Sequence, residues 1–330
     1  QNSMANLRAG LVGLGMMGRH HARVLASLDG VDLVAVVDPG GDVHGVAQGR
    51  DVLNSVGELI EKGIDYAMVA APTALHEEIG LELAAAGVHT MVEKPLAVDT
   101  PASKRLVAAF ANLVGAVGHI ERYNPALQQL RSRLGELGEV YQITTRRQGP
   151  FPARIADVGV VKDLATHDID LTAWVAQSSF KSISARTAFK SGRIHEDVVA
   201  AVGQLTNGIV TNHLVNWLTP FKERLTVVTG ERGAFIADTL TADLTFYANA
   251  SIATEWEAVA AFRGVSEGDV VRYAFAKPEP LRVEHEAFRD AVLGLPDAME
   301  KIVTMEQGLA TVAVAEAMIE SAKNGTVITF

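Results

Sequence analysis

The 330-residue sequence predicts an α/β protein in two parts. Residues 4–122 read as a doubly wound parallel sheet, and residues 123–330 as an α+β domain with an open, mostly antiparallel sheet. Three observations carry this. Short apolar runs alternate with helical stretches through the first part, as in a parallel sheet covered on both faces. A Gly-x-Gly-x-x-Gly run stands where the first strand gives way to the first helix. After GAVGHIERYN the texture changes to strands with partial apolar/polar alternation. The length agrees, since domains usually hold about 100 to 200 residues.

Element by element, LRAGLVGL, VDLVAVVD, DYAMVAAP and VHTMVEKP are the strands of the first part, separated by HHARVLASL, SVGELIEKG and HEEIGLELAAAG as helices. Runs such as Ala67 to Ala71 are apolar throughout, as strands buried on both faces should be. Ser55 and Glu58 predict a capping box, Gly87 a helix end, and Thr100-Pro101 a cap followed by proline at the first helical position. In the second part VYQITTRRQ, SISARTAF, AAVGQLTNGIVTNHL, RLTVVTG and the stretch around Thr245-Phe246-Tyr247 read as strands, with Asn207-Gly208 as a hairpin turn. Helices are expected over about Asp163 to Ala176, Val283 to Leu293 and Thr304 to Lys323, and the boundary near Ile120 to Asn124.

Composition narrows the function. A net charge of −10 repels nucleic acid and anionic lipid, so a small-molecule ligand is expected. With no cysteine, a disulfide framework and a thiolate zinc site are both excluded, and a reducing cytoplasm is the expected setting. No apolar run approaches the roughly 20 residues of a membrane helix, and no signal-peptide pattern opens the chain. Gln1-Asn2-Ser3 before Met4 reads as an expression remnant.

Gly13-Leu14-Gly15-Met16-Met17-Gly18 has the form of a dinucleotide loop. Gly13 permits the tight turn, Gly15 lets backbone approach a pyrophosphate, and Gly18 lets the helix pack close to the strand, with Met16 and Met17 as intervening cofactor contacts. Asp38 ends the next strand, twenty residues past Gly18, where an acid accepts hydrogen bonds from a ribose and repels a 2′-phosphate. NAD is therefore expected over NADP. Pro72 and Thr73 end the strand DYAMVAA on the same carboxyl edge, facing the cofactor or, for Thr73, capping a helix. His76 is a further cofactor candidate, or part of the helix surface. His20-His21 read as facing solvent.

Glu93-Lys94-Pro95 ends the following strand. A lysine at such a crevice can hydrogen-bond a substrate hydroxyl, whereas a lysine after an ordinary strand is a solvated terminus. Glu93 either holds Lys94 by charge or touches the cofactor edge. Pro95 fixes the chain's direction, and a cis bond before it would suit a tight turn. Asp163 and His167, four apart, share a helical face, as an orienting pair, a surface ion pair or two metal ligands. No third ligand is evident, so no metal is expected.

Together GLGMMG, Asp38, the Ala71-Pro72-Thr73 turn, Glu93-Lys94-Pro95 and the D-x-x-x-H helix resemble the glucose-fructose oxidoreductase, inositol dehydrogenase and MocA family of NAD(P)-dependent oxidoreductases. The resemblance covers nearly the whole chain. It implies an N-terminal Rossmann domain, a second domain whose open sheet builds homodimers or homotetramers, and Lys94, Asp163 and His167 as the catalytic group. Thr73 departs from it, since many members have asparagine there. GHIERYNP (Gly118 to Pro125) and RRQGPFPARIADVGVVKDLATHDIDL (Arg146 to Leu171) look like the subgroup that oxidises the C3 hydroxyl of nucleotide sugars, notably the UDP-N-acetylglucosamine 3-dehydrogenases. Arg146, Arg147, Arg154 and Lys162 would then meet a diphosphate, or else sit at a solvated strand end. Tyr123 and Asn124 are further substrate candidates, with Asn124 equally readable as a helix cap before Pro125. The competing expectations are a polyol or aldose dehydrogenase and a non-catalytic NAD-binding regulator.

Overall fold

The computed structural model describes residues 5–154, 157–250 and 267–330; Gln1-Asn2-Ser3 lies outside them. Contacts divide the chain into two compact units, Gln1–Ile120 with Glu279–Ala313, and Glu121–Pro278 with Val314–Phe330.

In the first unit β1 (Leu7–Val12), α1 (Gly18–Ala26), β2 (Val31–Val37), β3 (Asp51–Leu53), α2 (Val56–Glu61), β4 (Tyr66–Val69), α3 (His76–Ala85), β5 (His89–Glu93), α4 (Thr100–Ala109) and β6 (Gly115–Gly118) follow in order. The described strands form a six-stranded sheet in the order β3-β2-β1-β4-β5-β6, parallel throughout. Chain order reverses between β1 and β4, and loops at the carboxyl ends beside such a switch point form the ligand crevice of doubly wound sheets. Tyr66, Ala67, Met68 and Val69 are all buried, as expected of a strand covered on both faces. Two caps differ in detail from expectation. Ser55 does accept from the Glu58 N–H at 3.2 Å, but Glu58 returns to the N–H of Asn54 rather than of Ser55. The cap of α4 is Asp99, whose Oδ1 accepts from the Ala102 N–H at 2.8 Å. Asp99 has the extended backbone of a capping residue, and Thr100 becomes the first helical residue.

In the second unit α5 (Pro125–Ser132), β7 (Val140–Gln148), a π-helical turn (Val161–Ala165), α6 (Thr166–Ala176), β8 (Phe180–Ala188), β9 (Val198–Leu205), β10 (Val210–Asn216), β11 (Glu223–Gly230), β12 (Gly233–Asp238), β13 (Asp243–Asn249) and β14 (Glu267–Arg272) follow. With β15 (Ile328–Thr329), the described strands form a nine-stranded sheet in the order β14-β13-β12-β11-β7-β10-β9-β8-β15. Its pairs are antiparallel except β7 with β10. The expected α/β fold with an open, mostly antiparallel second sheet is what the chain forms. Asn207-Gly208 makes the β9–β10 turn, with Gly208 at φ +91°, a conformation that favours glycine. One sheet face buries Ile143, Val199, Ala201 and Val215 against Leu127 and Leu130 of α5 and Ile169 and Val175 of α6. The other face exposes Val202, Val210 and Leu214.

The chain then forms α7 (Pro280–Val292) and α8 (Met305–Asn324). Residues 123–330 were expected to form one domain, yet Glu279–Ala313 belongs with the first unit. The reason is packing: Phe288 of α7 meets Tyr66 of β4 edge-on at 5.4 Å, and Val303 and Met305 join the core beneath α3 and α4. No helix of the described residues is long and apolar enough to cross a membrane.

Candidate active site

The glycine loop joins β1 to α1. Gly13 has φ +100°, and a Cβ on it would stand 2.6 Å from the Ala70 carbonyl oxygen. A Cβ on Gly18 would collide with the carbonyl of Gly13, so helix and strand close up only because both are glycine. Around Gly15 a Cβ would meet nothing within 4 Å, and Met16 and Met17 are exposed. The loop backbone is thus open outward. No side chain caps the first turn of α1 and no acid sits in it, leaving the helix N-terminus to an anion. These residues fit a dinucleotide.

Asp38, at the end of β2, accepts from the Leu14 N–H through Oδ2 at 2.9 Å and from the Gly40 N–H through Oδ1 at 2.8 Å. It therefore ties the glycine loop to the neighbouring strand. Each oxygen keeps a lone pair with which to accept from a ribose hydroxyl.

Pro72 is exposed and Thr73 half-buried, in a 3₁₀ turn, Thr73–Leu75, that precedes α3. His76 lies inside the unit, 1% exposed, with Nε2 2.9 Å from Ala71 O and Nδ1 2.9 Å from Pro95 O. As a correction to the sequence reading, neither ring nitrogen is turned outward toward a cofactor. The ring instead clamps the Pro72 turn to the Lys94-Pro95 turn, whose peptide bond is cis. Burial pulls the pKa of His76 below its ordinary value, and the carbonyl contacts oppose this.

Glu93 accepts from the Lys94 N–H through Oε2 at 3.1 Å, while its Oε1 is 2.7 Å from His21 Nε2. His21 does not face solvent: it is wholly buried. The stripe Gly18, His21, Ala22, Leu25 is the buried face of α1, so the ring is carried inward by helical period alone.

In the second unit Asp163 lies in the π-helical turn and His167 in the first turn of α6. Single π turns are rare and recur at functional sites. The buried Glu196 accepts from the Val161 N–H at 3.1 Å and so fixes the start of this turn. Gly159 is required beside it, because a Cβ there would strike the Glu196 carboxylate. Arg154, largely exposed, is 3.8 Å from Asp163 Oδ2.

The remaining candidates are placed otherwise. Arg147 is 4% exposed, with Nε 3.1 Å from Asp168 Oδ1 and Nη2 3.2 Å from Glu121 Oε2. A guanidinium so enclosed is committed within the unit, which goes against its expected place on a diphosphate. Burial first, and Glu121 next, raise the Asp168 pKa to about 6 against the pull of Arg147. Arg146 pairs with Glu223 at 3.0 Å. Asn124 caps α5 by accepting from the Ala126 N–H at 3.0 Å, and its Nδ2 donates to Thr239 O at 3.0 Å. The capping alternative is thus the one adopted, and both ends of that amide are used. Tyr123 is buried beside it. Among the described residues no three His, Cys, Asp or Glu side chains gather as a metal ion would require.

Two family profiles match in sequence order: residues 7–119 fit the oxidoreductase family with an NAD-binding Rossmann fold, and residues 128–236 its GFO/IDH/MocA C-terminal domain. The chain belongs to the Gfo/Idh/MocA family of oxidoreductases. Among Gfo/Idh/MocA relatives, a UDP-N-acetylglucosamine 3-dehydrogenase of Acidithiobacillus ferrooxidans is 31% identical over 214 residues, 63% of this chain and 66% of that protein. The myo-inositol dehydrogenase Hyg17 of Streptomyces leeuwenhoekii is 35% identical over 177 residues, 50% of this chain and 54% of that protein. Both matched stretches cover less than two thirds of the relative's length. The solved structure of the Acidithiobacillus enzyme superposes with a TM-score of 0.83 at 25% identity, covering 97% of this chain and 99% of that one. The Gfo/Idh/MocA profile covers the glycine loop through Lys94, and the C-terminal profile covers Asp163 and His167.

Proposed function

We propose that the protein is an NAD-dependent dehydrogenase acting on a secondary hydroxyl of a sugar, a nucleotide sugar first among the candidates. One observation carries the reading: the glycine loop, Asp38, the Pro72-Thr73 turn and Lys94 all stand at carboxyl ends of strands flanking the β1/β4 switch point. NAD, when bound, takes up a hydride from the carbon that bears the reacting hydroxyl. Asp38 favours NAD over NADP, because a second negative charge beside its carboxylate is repelled.

For the chain's own residues we assign three roles. His167 takes the hydroxyl proton, since imidazole titrates near neutral pH and proton transfer works best close to that range. Lys94 donates a hydrogen bond to the same oxygen and stabilises its developing negative charge. Asp163, held on the turn fixed by Glu196, orients the imidazole or receives a neighbouring hydroxyl. The reverse assignment, Lys94 as base, is distinguished by the pH profiles of the two single variants.

A free polyol is the second reading, and one observation favours it: Arg147 is enclosed and Arg146 is paired, so of the three arginines expected at a diphosphate only Arg154 is exposed beside Asp163. A homo-oligomer is supported by the row of Val202, Val210 and Leu214 on the uncovered sheet face, and a cytoplasmic setting by the absence of cysteine. The test is NADH absorbance with UDP-N-acetylglucosamine against myo-inositol. Preference for the sugar nucleotide supports the first reading and preference for inositol the second. Tight NAD binding with no turnover on a broad sugar panel makes the protein a regulator instead.

A further inference from the structure

Three buried titratable side chains, His21, Glu284 and His285, gather with the partly buried Glu93 at the Lys94 turn in the first unit. His21 Nε2 is 2.7 Å from Glu93 Oε1, and His21 Nδ1 is 2.7 Å from His285 Nε2. His285 Nδ1 has no hydrogen-bond partner, and neither carboxyl oxygen of the adjacent Glu284 has one. His21, His285 and Glu284 are each at most 1% exposed. Isolated polar groups are costly at such depth, so a string of them needs a reason.

The protons can be assigned from geometry. Glu93 Oε2 receives the Lys94 N–H, and Oε1 faces an imidazole nitrogen, so the carboxylate is satisfied if His21 donates through Nε2. A neutral His21 then has a bare Nδ1, which accepts from Nε2–H of His285. That leaves His285 with a bare Nδ1, and this is the nitrogen that lacks a donor. Burial holds His285 well below its usual pKa, in the neutral form this assignment needs. Burial, then the charge of Glu93, push the Glu284 pKa well above its ordinary value. Facing Glu93 are His21 from α1, Glu284 from α7, His76 from α3 and Lys94 beside it; facing His285 are His21 and Arg282. The string ends at His285 Nδ1, which has no hydrogen-bond partner to carry it further, so it holds protons in place and does not conduct them outward.

We propose that His21 and His285 are positioning residues for Lys94, acting through Glu93: the string His285–His21–Glu93 keeps a carboxylate fixed against the Lys94 turn and thereby sets the orientation and charge of the lysine. This rests on the dehydrogenase reading, in which Lys94 touches the reacting oxygen. The Coulomb interaction of Glu93 with Lys94 links the string to the ammonium group. Glu284 is a bystander in this scheme, because neither of its carboxyl oxygens makes a hydrogen bond to the string.

The test is made on the full chain with NAD bound, by two readouts. The first is the rate of Lys94 acylation by acetic anhydride across pH, read by mass spectrometry. The second is the pH profile of kcat on the substrate found by the sugar panel. Glu93→Gln removes the charge and His285→Leu removes the donor to His21. Each should raise Lys94 acylation near pH 8 by about tenfold, one pKa unit's worth of free amine, and lower kcat by roughly tenfold with NAD affinity kept within twofold. His285→Asn, which can still donate to His21, should bring both readouts back to within about threefold of wild type. Glu284→Gln, at a side chain that makes no hydrogen bond to the string, should change neither. Acylation and pH profiles that stay within twofold of wild type in folded His285→Leu overturn the proposal, as does failure of His285→Asn to differ from His285→Leu. Should Glu93→Gln fail to fold, the two His285 variants at the far end of the string decide alone. Wild-type protein that turns over no sugar, while the acylation shift is present, counts against the dehydrogenase reading and not against the positioning of Lys94.

Discussion

The imidazole of His76 spans two turns at the carboxyl edge of the parallel sheet, with Nδ1 2.9 Å from Pro95 O and Nε2 2.9 Å from Ala71 O. A neutral ring carries one N–H, so it hydrogen-bonds one carbonyl and packs its bare nitrogen near the other. His76→Ala removes both contacts and leaves a buried carbonyl unpaired, at a cost of roughly 2 kcal/mol. Urea unfolding should show that loss. Turnover should fall by about tenfold as the Lys94 turn loosens, since small displacements of a reacting group are expensive. Unaltered turnover would mean that the turn holds Lys94 without the clamp.

How much of this was legible in the sequence follows from what each signal measures. The strand-helix alternation, the glycine loop and the Asn207-Gly208 turn are local, and strand β7 spans the very run VYQITTRRQ read from its alternation. The buried histidines were readable in principle. Leu281, Glu284, His285, Phe288 and Ala291 fall at i, i+3, i+4, i+7 and i+10, a stripe of α7 that is all buried, so two titratable residues on an apolar face were announced by period. What the sequence lacks is the partner. Only the return of 279–313 to the first unit brings His285 to His21, across 264 residues of chain. The same holds for Arg147, whose positive charge reads as open to any anion until β7 places it against Glu121 and Asp168.

Substitution separates chemistry from cofactor binding. His167→Ala and Lys94→Ala should each lower kcat by about 10² to 10⁴, the usual worth of a positioned acid, base or hydrogen-bond donor, with NAD affinity nearly intact by fluorescence titration. Normal turnover by His167→Ala on the true substrate would remove it as the base.

Asp38 carries two separable roles, charge and hydrogen bonding to the Leu14 and Gly40 N–H groups. Asp38→Asn and Asp38→Ala both remove the charge that repels a 2′-phosphate. Both should move the NADP:NAD ratio of kcat/KM toward NADP by roughly tenfold, a change of about 1.4 kcal/mol. Asp38→Ala should also lower stability, by about 1 kcal/mol, because it leaves two amides without their acceptor, and Asp38→Asn by less, because its single carbonyl oxygen still accepts from one of them. A wild-type enzyme that already prefers NADP would sink the assignment.

His213 predicts how the second unit responds to acid. It is 1% exposed, with Nδ1 2.7 Å from Thr145 Oγ1, and burial pulls its pKa from 6.5 down to about 4. Between those two values the unfolded chain binds a proton that the folded chain does not. Stability from this residue is therefore present above pH 6.5 and lost as pH falls through 4. The full span is worth about 3 kcal/mol, at 1.36 kcal/mol per pKa unit. Trp174 and Trp217 lie in the same unit, so their fluorescence follows its urea unfolding. His213→Gln keeps a polar partner for Thr145 but cannot titrate, and should flatten the fall in stability between pH 6.5 and 4.5 by about 2 kcal/mol. His76 and His285, also lowered by burial, act in the same sense on the first unit. An unchanged slope in the tryptophan signal of His213→Gln would mean that the ring takes up its proton in the folded state.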